Sequence, residues 1–341
     1  MRITSLLSRL PSDDFILLSA PEDMRYYANF SGEGYVLLSK SHRIVYTDGR
    51  YTEQAEKETD GFSVCEIKNM KSELEKITAT VYFQEKKMSY SDYSGLSKSV
   101  NLKPSGIDFP SLRSVKDEKE IEYLEKAAEI AETAFLNTLS FIQAGKTEQE
   151  IAAYLNYQMA LSGSEKPSFD TICISGQNTS LPHGRPTEKK INEGEFLTLD
   201  FGAVYKGYCS DMTRTVAVGY LSDEMEIVYD VVLSAQDRTE KALKPGMTGH
   251  DGDEIARKII VDAGYGEYFV HSTGHGVGLE IHEQPSLSTN KECVLQKGQL
   301  VTVEPGIYLP KKFGVRIENT VLLTEFGCRP LQKSEKELII L

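Results

Sequence analysis

The sequence predicts an α+β protein that consists of a small N-terminal α/β domain and a larger C-terminal domain with two similar halves. A chain of 341 residues, 40% of them hydrophobic, is long enough to form two domains with their own cores. Strand and helix patterns alternate over the first third of the chain, and two helices followed by strands occur twice over the remainder. These patterns place the domains at residues 1–113 and 114–341.

The N-terminal domain is predicted from short alternating elements. Strands are expected in "FILLSA", in both arms of a hairpin in "YVLLSKSHRIVYTD" and in "FSVCEI". Helices are expected in "PEDMRYYANF", in "RYTEQAEKE" and over residues 71–86. The pattern stops in "LKPSGIDFPSLRS", where two prolines and a glycine interrupt any regular element, and the domain boundary is placed there.

Capping signals mark the start of the C-terminal domain. Ser114 and Asp117 have capping-box spacing, and apolar residues recur after them at helical intervals. Thr147 and Glu150 mark a second helix, which ends near Gly163. The elements expected after it are a hairpin at 197–215, helices at 222–243 and 251–263, and strands in "QLVTVEPGIYL" and "GVRIENTVLL".

Charge and composition exclude several classes of function. The formal net charge of −13 argues against a nucleic-acid partner, because such binding requires neutralisation of phosphates. No stretch approaches the roughly 20 apolar residues of a membrane-spanning helix. The first residues do not resemble a secretory signal, and five scattered cysteines are typical of reduced thiols. We therefore expect a cytoplasmic protein without a membrane partner.

The hairpin at 197–215 contains two aspartates among apolar residues. A turn centred on Tyr205 and Lys206 would place Asp200 directly opposite Asp211, with their Cβ atoms about 5 Å apart. Two like charges at that distance repel each other, so the pair either points to water or binds a cation.

Two glutamates and a histidine also lie in positions that are unusual for charged groups. Glu304 ends the strand "LVTVE" directly before Pro305, where a side chain can reach into a cleft. Glu318 is expected inside the strand "GVRIENTVLL", where a solvated face is the ordinary alternative. His275 lies between two glycines, which permit a close backbone approach.

Taken together, these five residues predict a metal site. A buried cluster of carboxylates is prohibitive unless the groups are protonated or bound to cations. Two divalent ions would neutralise the four carboxylates, and oxygen ligands with one imidazole suit Mn²⁺, Co²⁺ or Zn²⁺ better than a metal that prefers thiolates.

The local contexts of these five residues resemble the ligand signature of the pita-bread metallopeptidases, a group that includes methionine aminopeptidase, aminopeptidase P and prolidase. The matching segments are "LDFGAVYKGYCSDMTRT", "HSTGHGVGLEIHE", "VTVEPGIY" and "VRIENTVLL". The segment "YTDGRYTEQAEKE" resembles the N-terminal domain of the proline-specific branch, and such a domain is usually absent from methionine aminopeptidases. The resemblance implies a pita-bread C-terminal domain with two pseudo-symmetric halves, and a homodimer.

The resemblance also implies a role for each site residue. Asp200 would bind one metal ion, Asp211 and Glu318 would bridge two ions, and His275 and Glu304 would bind the other. Glu304 would also carry protons for a metal-bridging hydroxide. His271 and His282 would be catalytic histidines of the substrate site, and His282 would hold the scissile region or stabilise the tetrahedral oxyanion. The residues implied to contact a proline-containing peptide are His183, His271, His282, Tyr308 and Arg316.

The implied reaction is hydrolysis of the peptide bond between an N-terminal residue and proline, by an Xaa-Pro dipeptidase or an Xaa-Pro aminopeptidase. A tertiary amide before proline has no N–H group, and a dinuclear site can polarise its carbonyl without one. Two alternatives are a metal-free hydrolase of the creatinase type and a non-catalytic peptide-binding module on the same fold. Both would be expected to lack metal ligands, and all five ligands are present here.

Overall fold

The computed structural model describes residues 2–11, 14–289 and 292–341. The chain divides into two units, Met1–Phe109 and Pro110–Leu341. The boundary between residues 113 and 114 stays a prediction. Within the described residues, no helix combines the length and the apolar character that are needed to cross a membrane.

The first unit is built on one six-stranded sheet with the order β4-β3-β2-β1-β5-β6. Strand β2 is antiparallel to both of its neighbours, and the other pairs are parallel. The elements are α1 (Arg2–Leu7), β1 (Phe15–Leu18), α2 (Pro21–Ala28), β2 (Gly34–Leu38), β3 (Arg43–Thr47), α3 (Thr52–Glu58), β4 (Ser63–Glu66), α4 (Met70–Leu74), β5 (Val81–Phe83), α5 (Tyr90–Leu96) and β6 (Leu102–Pro104).

The helix predicted over residues 71–86 is wrong after Leu74. Helix α4 ends at Leu74, and Val81–Phe83 form a strand between β1 and β6. The β-branched and aromatic residues of this segment favour a strand. Val81 is fully buried in the core of this unit, so tertiary packing adds to that preference.

The second unit contains two helices followed by strands, twice, as predicted. Its elements are α6 (Phe109–Arg113), α7 (Glu118–Leu139), α8 (Glu148–Leu161), β7 (Ile172–Ser175), β8 (Glu195–Phe201), β9 (Val204–Tyr205), β10 (Tyr208–Cys209), β11 (Met212–Val218), α9 (Asp223–Ala242), α10 (Gly249–Asp262), β12 (Gly274–Gly276), β13 (Glu283–Leu287), β14 (Leu300–Val303), β15 (Gly306–Leu309), β16 (Phe313–Arg316), β17 (Asn319–Leu323) and β18 (Cys328–Pro330).

The capping boxes define the starts of the first two long helices in this unit. Thr147 and Glu150 cap α8 as predicted, whereas α7 is capped by Asp117 with Glu120 instead of by Ser114. The segment after Ser114 is already paired, because the backbone N–H of Lys116 donates to the carbonyl of Gly298 at 2.8 Å. The helix can therefore begin only after that extended segment ends.

The two halves of the second unit share part of their apolar core. In the first half, Phe135 and Leu155 of the helices share a buried cluster with Leu199 of the three-stranded sheet β11-β8-β7. In the second half, Tyr229 and Ile260 of α9 and α10 belong to a cluster that also contains Phe196 of β8. The five-stranded sheet, with the order β13-β12-β14-β17-β18, has a separate apolar cluster. The predicted metal ligands lie on or next to the strands of these sheets.

Candidate active site

The hairpin of β8 and β11 brings Asp200 and Asp211 together, but not in the predicted register. The turn residues are Lys206 and Gly207, both with positive φ, and Asp200 pairs with Thr213. Tight hairpins favour such left-handed turn residues because their twist matches that of the strands. Asp211 precedes β11 and is therefore a diagonal neighbour of Asp200, not its direct partner.

Glu304 lies where it was predicted, directly after the end of β14. Glu318 does not lie inside a continuous strand, because β16 ends at Arg316 and β17 begins at Asn319. The two strands belong to different sheets: β16 pairs with β15, and β17 pairs with β14. Both glutamates therefore occupy breaks between paired strands, and such breaks direct side chains into a cavity.

The glycines around His275 are required by close packing of neighbouring strands. A Cβ atom on Gly274 would lie 1.9 Å from the carbonyl oxygen of Thr302, and one on Gly276 would lie 2.4 Å from that of Gln284. The Nδ1 atom of His275 donates to the carbonyl of Gly276 at 3.0 Å. This bond leaves Nε2 directed at the carboxylates, which is the arrangement found in metal-binding histidines.

Asp200, Asp211 and Glu318 form a cluster in which one potential ligand atom of each residue lies within 4.8 Å of the others. Oδ1 of Asp200 and Oε1 of Glu318 are buried, and neither accepts a hydrogen bond from the described residues. Burial, followed by the charges of neighbouring carboxylates, raises the pKa of Asp211 and of Glu318 well above the ordinary range. Unsatisfied buried oxygens of this kind suit a hard divalent cation.

His275 and Glu304 complete the donor set. Nε2 of His275 lies 3.3 Å from Oε1 of Glu304 and 3.6 Å from Oδ2 of Asp211. Burial acts to raise the pKa of Glu304, but its hydrogen bond with His275 and the charge of that histidine outweigh burial and lower the pKa to about 2. Four carboxylates and one imidazole therefore converge, and their chemistry fits two divalent ions.

Arg316 and Tyr308 lie behind the carboxylates. The guanidinium of Arg316 donates to Oδ2 of Asp200 at 2.6 Å and to Oη of Tyr308 at 2.8 Å. Nδ1 of His271 contacts the carbonyl of Ser272, so Nε2 is the atom that accepts from Tyr308, at 2.8 Å. This chain of bonds fixes one side of the metal cluster.

The remaining predicted residues line one cavity of about 530 Å³, whose wall includes His183, His271 and His282 together with the five predicted metal ligands. The rings of His275 and His282 lie edge to face, with centroids 4.3 Å apart. Burial lowers the pKa of His282, and the neighbouring His275 lowers it further. Tyr308 is the exception, because it supports the wall without being part of it.

Two threonines that the sequence analysis did not identify hold the ligands in place. Oγ1 of Thr302 accepts from the backbone N–H of His275 and donates to Oε1 of Glu304, both at 3.0 Å. Oγ1 of Thr213 donates to Oε2 of Glu318 at 2.7 Å. Each threonine is two residues from a carboxylate ligand, so strand alternation could have indicated both.

Comparison with known proteins places this site in a family. Residues 122–325 match the family described as "Metallopeptidase family M24", and residues 6–115 match the family described as "Creatinase/Prolidase N-terminal domain". The chain is 43% identical to a Xaa-Pro dipeptidase of Pyrococcus furiosus, over 96% of each chain.

Solved structures give the same result. A Xaa-Pro dipeptidase from Bacillus anthracis has 43% identity and a TM-score of 0.95, with 100% of this chain and 98% of that chain covered. An X-Pro aminopeptidase from Thermotoga maritima has 41% identity and a TM-score of 0.93, with both chains fully covered. These similarities confirm the predicted fold class and the predicted metallopeptidase. The chain belongs to metallopeptidase family M24.

Proposed function

We propose that this enzyme hydrolyses the peptide bond between an N-terminal residue and proline and depends on two divalent metal ions. The observation that carries the proposal is the set of buried carboxylate oxygens without hydrogen-bond donors at the cavity wall. Similar chains named Xaa-Pro dipeptidase and X-Pro aminopeptidase support the choice of substrate. Mn²⁺ is the proposed ion, with Co²⁺ and Zn²⁺ as alternatives.

The five ligands divide between the two ions. Asp200 would hold one ion, His275 and Glu304 would hold the other, and Asp211 and Glu318 would contact both. When bound, the ions would polarise the scissile carbonyl and lower the pKa of a water molecule. The central position of Asp211 and Glu318 supports this proposal, because burial and the neighbouring carboxylates raise the pKa of both.

The protein groups supply proton transfer and orientation. Glu304 stays ionised at neutral pH despite its burial, because its hydrogen bond with His275 lowers its pKa; as a carboxylate on the cavity wall it would accept a proton from water and pass it to the departing proline nitrogen. His282, on the cavity wall, is positioned to donate a hydrogen bond to the substrate. Both ring nitrogens of His271 are already bonded, so a direct catalytic role for it requires a change of partner.

Metal analysis combined with a peptide panel tests this function. The purified protein, supplemented with Mn²⁺ and desalted, should retain about two ions per chain and should cleave Ala-Pro much faster than Ala-Ala. Asp211→Ala should lose both metal and activity, because a shared ligand is removed. Absence of bound metal together with no cleavage of Xaa-Pro peptides would refute the proposal and favour the metal-free or non-catalytic alternatives.

Two further expectations accompany the proposal. The homodimer stays a prediction, and the mass of the protein in solution would test it. The cytoplasmic location also stays a prediction, which cell fractionation would test.

A further inference from the structure

A loop on the cavity wall is fixed at both ends by one buried carboxylate. Residues 176–186, here called the cavity loop, carry Arg185 to the wall. Glu148, fully buried in the first turn of α8, accepts through Oε1 from N and Oγ of Ser175 at 2.7 and 3.0 Å. Its Oε2 accepts from N and Oγ1 of Thr187 at 2.9 and 2.7 Å. Glu148 therefore fixes the position of the cavity loop relative to helix α8.

The cavity wall contains two arginines, and only one of them has free donors. The guanidinium of Arg316 is committed through four hydrogen bonds of 2.6 to 3.2 Å, to Asp200, Tyr308, Thr213 and the carbonyl of Pro182. Arg185 is exposed at the wall, and over the described ranges of the chain it makes no hydrogen bond or ion pair. Its five donors are available to a ligand.

Among the side chains of the wall, Arg185 is the uncommitted group that is charged at every working pH. His271 is bonded through both of its ring nitrogens, and His275 faces the metal cluster. Asp170 also lines the wall, but among the residues that the structure describes no ion pair joins it to Arg185. The metal ions, when bound, would neutralise the four carboxylates and polarise the scissile carbonyl. Arg185 is therefore the cation that remains for a second anionic group of the substrate.

We propose that Arg185 binds the free carboxylate of a dipeptide substrate and so favours Xaa-Pro over longer peptides and amides. This inference rests on the proposed function. In a dipeptide the proline carries a charged carboxylate, whereas in a longer peptide the same position is a neutral amide. Arginine binds a carboxylate through two parallel hydrogen bonds, which a neutral amide cannot reproduce.

Kinetics with a charged and a neutral substrate test the proposal on the Mn²⁺-loaded full chain. Arg185→Gln should raise KM for Ala-Pro about 10- to 100-fold, because hydrogen bonds to charged groups contribute that much. The kinetic constants for Ala-Pro-amide should change less than about threefold, since the amide lacks the carboxylate charge that Arg185 would bind. Lys190→Gln is the matched control: it removes one positive charge from an exposed nearby residue that does not line the cavity, and it should change neither substrate.

A second variant tests whether the cavity loop positions Arg185. Glu148→Gln replaces one acceptor oxygen with an NH₂ donor that faces other donors, so one end of the loop is released. It should raise KM for Ala-Pro more than for the amide, and the double variant should be no worse than Arg185→Gln alone. A purely structural role of Glu148 would affect both substrates equally.

The outcomes separate this inference from the function on which it rests. If wild-type protein cleaves both substrates and Arg185→Gln changes both equally or neither, the carboxylate assignment is overturned and the proposed function stands. If wild-type protein cleaves no Xaa-Pro substrate, the proposed function fails, and the inference fails with it.

Discussion

Asp211→Asn should make the metal-free protein more stable and the metal-loaded protein less stable. The ligand atoms of Asp200, Asp211 and Glu318 lie within 4.8 Å of one another. Two unit charges at that separation repel by about 3.5 kcal/mol at an effective dielectric constant near 20. An ionised Asp211 without metal would therefore face about 7 kcal/mol of repulsion from its two neighbours.

Protonation is the less costly alternative. Keeping an aspartate protonated at pH 7 costs about 4 kcal/mol, because its ordinary pKa is about three units lower. The metal-free protein therefore takes up a proton instead of bearing the full repulsion, consistent with the raised pKa of Asp211 and of Glu318. Asparagine removes the charge without this cost.

The sign of the pH dependence follows from these shifts. Groups whose pKa is raised by folding hold more protons in the folded state than in the unfolded state above about pH 4. The contribution of Asp211 and Glu318 to the free energy of unfolding of the metal-free wild type should therefore be fully present below about pH 4 and should decrease as the pH rises to 8. Asp211→Asn should show a smaller decrease and should be the more stable protein at pH 8.

Calorimetric unfolding at several pH values, with a chelator and then with Mn²⁺, measures both effects. Asp230→Asn, an exposed aspartate on α9, is the matched control and should follow the wild type. Isothermal titration of Mn²⁺ in two buffers counts the protons released on binding, which should be fewer for Asp211→Asn. A chelated wild type whose stability does not change between pH 5 and 8 would refute the reasoning.

Three further substitutions follow from the geometry. Asp200→Asn should reduce bound metal from about two ions to about one per chain, because Asp200 would hold one ion; elemental analysis checks this, and retention of two ions would contradict the assignment. Thr302→Val removes the bonds to His275 and Glu304 and should weaken metal affinity about 10- to 100-fold; unchanged affinity in a metal titration would exclude this positioning role. Glu304→Gln should lower kcat about 10²- to 10⁴-fold through loss of proton transfer. Single-turnover kinetics of the metal-loaded variant measure this decrease, and a decrease of less than about 10²-fold would contradict the proton-transfer role.

The hairpin shows what sequence reasoning could and could not reach. The pattern correctly predicted that two strands would bring Asp200 and Asp211 into one cluster. It placed the turn one residue too early, because the left-handed conformation of Lys206 depends on the twist of the assembled sheet and not on that residue type. Gly207 was the available signal, since type I′ turns favour glycine at that position.

The hydrogen bonds behind the carboxylate cluster could not be predicted from the sequence, for a different reason. Arg316, Tyr308 and His271 are linked by hydrogen bonds across 45 residues of sequence, and no local periodicity encodes such a link. Glu318 was assigned to a continuous strand because its neighbours all favour strands. Only the presence of two different partner strands reveals the break at that residue.

The edge of strand β11 has a consequence for the stability of the metal-binding hairpin. The backbone of Ala217 donates to Ile339 and accepts from Leu341, and buried Arg214 donates to the carbonyl of Ser334. Residues 334–341 therefore cover the edge of β11 that does not pair with β8. Without them, β11 would have an open edge, and Arg214 would keep only its bonds to Thr213, Glu318 and Asn319. We therefore expect deletion of residues 334–341 to destabilise the hairpin that carries Asp200 and Asp211, and to expose a strand edge that can pair with another chain.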